Sequence, residues 1–181
     1  MLFDLEQFQI DIDVEKTRTF YKDADAVSKG CSCGGCRNYE KAVDVLPDEV
    51  THFFNELGVD MKKVCEVYVN CGNPDGTLLY GGFYHLCGEL LEGKSAWVSE
   101  SDSSSISHWE KEKAFHITDS FYVSFHNSCS LLEDGFPLPA LQLEISANVP
   151  WVLPENNTYI TDNTPSEGTP KKKVFFRLFR K

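Results

Sequence analysis

The stretch VCEVYVNC (Val64–Cys71), GNPDG (Gly72–Gly76), TLLYGGFYHLCGELL (Thr77–Leu91) decides the fold. Two runs rich in β-branched and aromatic residues flank five residues of turn chemistry. That pattern predicts an antiparallel hairpin with a five-residue loop. Gly81-Gly82 inside the second run marks a bulge or a close approach by another backbone. Cys65 and Cys71 share a face with Val67 and Val69, which predicts core positions for both.

Working outward, the pattern stays β on the C-terminal side. Strands are expected at 114–118, 120–127 and 140–148. In the last, Leu141, Leu143, Ile145 and Ala147 fall on one face. Ser99–Ser107 is polar and Ser-rich and reads as a loop. On the N-terminal side, Phe8, Ile10, Ile12 and Val14 alternate with Gln9, Asp11 and Asp13, as a half-buried strand would. Lys22–Gly35 reads as a polar loop. Two short helices follow, one carrying Tyr39, Ala42, Val43 and Leu46, the other Val50, Phe53, Phe54 and Leu57. Pro47 suits the first turn of the second helix, and Gly58 is a natural stop. Strand, two helices, then a run of strands predicts an α+β fold. It would be a mainly antiparallel sheet or sandwich with two short helices in the N-terminal third. A single domain over residues 1–160 is expected, then a linker and basic-aromatic tail over 161–181.

The chain of 181 residues has a formal charge of −11, but the charge is unevenly placed. Residues 171–181, KKKVFFRLFRK, hold six basic and no acidic side chains. The preceding 170 residues carry 11 basic and 28 acidic groups, a balance of −17. A body that acidic repels phosphate backbones and disfavours nucleic acid as a partner of the main domain. The tail suits contact with its own domain, a partner or an anionic surface. The sequence names no partner. The N-terminus MLFDLEQFQIDID is acidic where a secretory signal is basic, and no transmembrane stretch is visible, which predicts a cytosolic protein.

In a reducing compartment, seven cysteines point to free, metal-bound or catalytic thiols more than to disulfides. Three of them, Cys31, Cys33 and Cys36, lie in the run CSCGGC. Cys33-x-x-Cys36 is a usual zinc half-site, and Gly34-Gly35 lets the backbone wrap so that amides face sulfur. Cys31 is a third ligand or a neighbouring thiol. A fourth ligand is expected from His85 and Cys87, two apart on one strand face, or from the pair His126 and Cys129. Zinc with a mainly structural role is the first expectation. The second is a thiol–disulfide protein using Cys33 and Cys36, since a helix N-terminus and Arg37 would stabilise thiolate. The third is an acidic interaction module in which the cysteines are incidental. No nucleophilic triad is readable, so catalysis is left open.

Gly88–Ser95 matches the phosphate-loop pattern G-x-x-x-x-G-K-[ST]. No helical face follows it, and Glu89 and Glu92 would repel phosphate, so the match is attributed to chance.

Cys31-x-Cys33-x-x-Cys36-Arg37-Asn38-Tyr39, then Leu57-Gly58-Val59-Asp60, then Tyr80-Gly81-Gly82-Phe83-Tyr84-His85, resembles a family of small uncharacterised bacterial proteins over roughly residues 5–150. The resemblance implies a bacterial cytosolic origin and no mechanism.

Overall fold

The hairpin forms in a computed structural model, which describes residues 1–99 and 107–160. The chain runs β1 (Leu2–Leu5), β2 (Phe8–Ile12), α1 (Val14–Asp23), α2 (Val27–Gly30), α3 (Gly34–Ala42) and α4 (Asp48–Glu56). It continues as β3 (Glu66–Gly72), β4 (Thr77–Glu92), β5 (Trp97–Ser99), β6 (Ser107–Trp109), β7 (Phe115–Thr118), β8 (Phe121–His126) and β9 (Ala140–Pro150). Most of the middle of the expected loop Ser99–Ser107, the linker and the KKKVFFRLFRK tail lie outside the described residues. The fold is α+β, with a seven-stranded antiparallel sheet and its helices between residues 14 and 63.

The sheet runs β1-β2-β4-β9-β8-β7, and β3 also pairs with β4. Strand β4 is its spine. On one edge it pairs with β9 from Thr77↔Pro150 to Cys87↔Ala140. Its other edge is shared in sequence by β3, opposite Leu78–Phe83, and β2, opposite Gly88–Glu92. Gly82 permits the approach of β3, because a Cβ there would lie 2.5 Å from the Glu66 carbonyl oxygen. Gly88 does the same for β2, at 2.2 Å from the Asp11 carbonyl oxygen. The Gly81-Gly82 pair is therefore a close approach, while the register shift sits in β3 between Val69 and Cys71.

Between β3 and β2 a stretch of the β4 edge has no strand beside it among the described residues, and α1 fills the gap. The Tyr21 hydroxyl accepts from the His85 N–H at 3.1 Å and donates to the His85 carbonyl at 3.0 Å. The Thr17 hydroxyl accepts from the Cys87 N–H at 3.0 Å. The Phe83 carbonyl takes the Cys65 N–H, and the Cys87 carbonyl takes the Asp13 N–H. These edge groups are thus paired without a strand.

One face of the sheet packs on the helices. Leu78, Tyr80, Tyr84 and Leu86 of β4 meet alternate residues Leu141, Leu143, Ile145, Ala147 and Val149 of β9, together with Tyr39, Val50, Phe54 and Leu57 from the helices. Tyr84 donates to the Met61 carbonyl, so the buried Tyr39 hydroxyl, 2.7 Å away, donates to Tyr84.

Several expectations need correction. Val14 begins α1 and does not continue a strand, because the Asp13 carboxylate caps the helix by accepting from the Lys16 N–H at 3.0 Å. Residues 14–63 hold four α-helices where two were expected. The polar loop expected at Lys22–Gly35 is broken by α2, and α3 already begins at Gly34. Cys65 and Cys71 are exposed, since Cys65 precedes β3 and the register shift turns Cys71 off the Val67 face. The phosphate-loop match falls in strand: Gly88–Glu92 are β4 residues, and the next element among the described residues is the strand β5.

Candidate metal centre

The three clustered cysteines meet where α2 ends and α3 begins. Cys31 closes α2, its N–H bonding the Val27 carbonyl. Cys33 caps α3, and its sulfur accepts from the Cys36 N–H at 3.4 Å. Cys36 sits in the first helical turn, 5% exposed, with its thiol toward the Val67 carbonyl of β3. All three Sγ atoms lie within 4.8 Å of one another. Cys31 and Cys33 face solvent.

The start of α3 is held by residues far away in sequence. The Tyr80 hydroxyl donates to the Gly35 carbonyl at 3.0 Å, and the Gly35 N–H donates to the Tyr159 hydroxyl at 3.1 Å. The Asn38 amide donates to Tyr80 and to the Pro150 carbonyl, and accepts from the Val152 N–H. Arg37 pairs with Glu155 at 2.6 Å. Gly35 fits closely here: a Cβ would lie 3.0 Å from the Tyr159 hydroxyl and 3.2 Å from Val69, so both side chains would have to shift to admit one. The start of α3 is therefore braced by β4, by the end of β9 and by Tyr159.

The thiols differ in acidity. The Cys36 N–H, aimed at Cys33 sulfur by the helix start, is the main cause that lowers the Cys33 pKa to about 7 from 9.0. Burial pushes Cys36 the other way. Three thiolates this close repel one another, and a divalent cation removes that repulsion. Zinc–sulfur bonds near 2.3 Å set tetrahedral sulfurs about 3.8 Å apart, so small side-chain rotations would close the cluster around an ion.

The expected fourth ligands are dispersed. Cys87 is buried near Lys16 and Asp13, and lines a different groove with both. His126 is held by Glu144, Nε2 to carboxylate at 2.9 Å. The same carboxylate accepts from Gln142 and Trp97. Cys129 is half-buried beyond the end of β8. His85 is 3% exposed, and burial lowers its pKa against the opposing pull of the Ser130 backbone and the Gln142 side chain. It lines one cavity with Cys31 and Cys36 but is not part of the 4.8 Å cluster. Sequence reasoning missed the bracing residues Tyr80, Tyr159 and Asn38. The one available signal was Asn38, a polar residue one turn before the apolar Ala42 on the same helix face.

Comparison of the chain with protein-family models, with curated proteins and with solved structures gives no match. The reading of the site rests on its own geometry.

Proposed function

We propose that this protein binds one zinc ion through Cys31, Cys33 and Cys36, and that the ion serves a mainly structural purpose. The observation that carries this reading is the convergence of three sulfurs within 4.8 Å at a braced helix start. The thiolates of Cys33 and Cys36 draw the metal to α3, and Cys31 ties α2 to the same point. Because Cys36 also abuts Val67 of β3, the ion would fasten the 24–33 segment to the sheet edge. A soft thiolate set of this kind favours zinc over magnesium or calcium. The test is metal content of untagged protein purified without chelator. About one zinc per chain is expected, lost in Cys33→Ser and in Cys36→Ser. Metal-free protein whose Cys33 and Cys36 titrate as a reversible dithiol would overturn it.

That outcome would promote a second reading, which the acidity pattern favours. An exposed cap thiol with a pKa of about 7 beside a buried thiol of raised pKa suits an attacking and a resolving cysteine. Oxidation would join Cys33 to Cys36, with two protons released and two electrons passed to a partner disulfide.

A further inference from the structure

A cavity of about 590 Å³ opens beside the cysteine cluster, in the gap between α1 and the start of β3. Phe20, Val27, Val67 and Leu131 make its walls largely apolar, with Cys31 and Cys36 at one side. His85 lines it as well. The residue is 3% exposed, and its ring packs against Phe83 and Phe136 at centroid distances of 5.6 and 5.7 Å. Its Nε2 has no hydrogen-bond partner among the described residues. A buried polar atom without a partner is costly, and a bound water, ion or ligand is one of the few ways to satisfy it. Tyr21 fixes the His85 backbone on both the N–H and the carbonyl, and Phe83 and Phe136 pack against its ring.

The charges at the rim say what kind of ligand fits. Glu66 and Glu133 line the cavity, and neither has an ion-pair partner among the described residues. Lys63, the one cation on the lining, is committed to the carbonyls of Tyr21 and Lys22 and to Asp60. Asp25 is paired with Lys29. An anion would meet unscreened carboxylates, whereas a cation would be drawn in. Burial lowers the His85 pKa, against the pull of the Ser130 backbone and the Gln142 side chain, and the unprotonated nitrogen of a neutral imidazole can accept from an ammonium N–H.

We propose that this cavity binds a small organic ammonium ion with an apolar body, its N–H donated to His85 Nε2 and its charge facing Glu66 and Glu133. The apolar part lies against Phe20, Val27, Val67 and Leu131. The inference does not depend on zinc, since neither the imidazole nor the two carboxylates belong to the thiol cluster.

The probe is benzylammonium, compared with neutral benzyl alcohol and anionic benzoate. The readout is the His85 ring nitrogen resonance in protein as purified, which needs no variant of a buried residue. Saturable movement of the Nε2 signal is expected with benzylammonium. Its affinity should exceed that of benzyl alcohol by about ten-fold, as a charge-assisted hydrogen bond would provide. Benzoate should leave the resonance in place. In a Glu66→Gln, Glu133→Gln double variant, both sites being exposed, the preference for the amine over the alcohol should vanish. A His85 resonance unmoved by benzylammonium overturns the proposal, and so does equal binding of all three probes.

Discussion

At the scale of single residues, the decisive atom is the sulfur of Cys33. Its acidity is a property of position: a thiol that caps a helix faces the N–H of Cys36, and the thiolate is the form that hydrogen bond favours. In reduced, metal-free protein, alkylation of Cys33 by iodoacetamide should rise with pH around a midpoint near 7, while Cys36 stays protonated and slow. A midpoint near the ordinary thiol value of 9.0 would show that the cap bond does not form in solution. The sequence revealed the three thiols and their spacing. It placed Cys36 just before a helix, one turn out of register with the structure, where Cys33 is the cap and Cys36 is already helical. Cys65 and Cys71 mark the same limit. Alternation with Val67 and Val69 suggested burial, but a single register shift in β3 and a strand starting one residue later put both in solvent.

At the scale of elements, α1 is the piece that the sequence hid. Its two buried side chains are Thr17 and Tyr21, so no aliphatic stripe announces it. Both are buried because their hydroxyls do the work of a missing strand along β4. Replacing Tyr21 by Phe leaves a buried N–H and a buried carbonyl without partners, at about 1–3 kcal/mol for each such group. Urea unfolding of Tyr21→Phe should therefore show a loss of about 2–6 kcal/mol. Thr19→Val, on the exposed side of the same helix, should change stability by less than about 0.5 kcal/mol. A near-neutral Tyr21→Phe would mean that water replaces the hydroxyl at this edge. By contrast, α4, β4, β8 and β9 were legible, because their apolar residues recur at helical or strand period and turn residues flank them.

At the scale of the whole molecule, the thiol cluster sits at the margin of the main core and enters it only through Cys36. The core is a sheet face closed by α3 and α4, whereas the cysteines sit at the outer end of α3, tied by Cys36 to the β3 edge. Stripping metal should therefore loosen one corner and spare the sheet. After chelation, amide hydrogen exchange should speed up by about ten-fold or more across residues 24–38, while β4, β8 and β9 keep their protection. Faster exchange throughout the sheet would mean that the ion supports the entire fold. Unchanged exchange after proven metal loss would remove its structural purpose. What the sequence determined by itself was the α+β class, the strand-rich C-terminal half, the hairpin of β3 with β4, and the identity of the three thiols. Each of these depends on local periodicity, turn chemistry or spacing, which a chain carries residue by residue. Only the tertiary structure decided that β2 and β3 share one edge of β4 with α1 between them. It also brought Tyr80 and Tyr159 onto Gly35, set His85, its Nε2 without a partner among the described residues, on one cavity with Cys31 and Cys36, and sent Cys87 to a different groove. The physical reason is that those relations join residues dozens of positions apart. Such distant residues meet only when long-range strand pairing and backbone hydrogen-bond satisfaction are settled together, and no local pattern records that outcome.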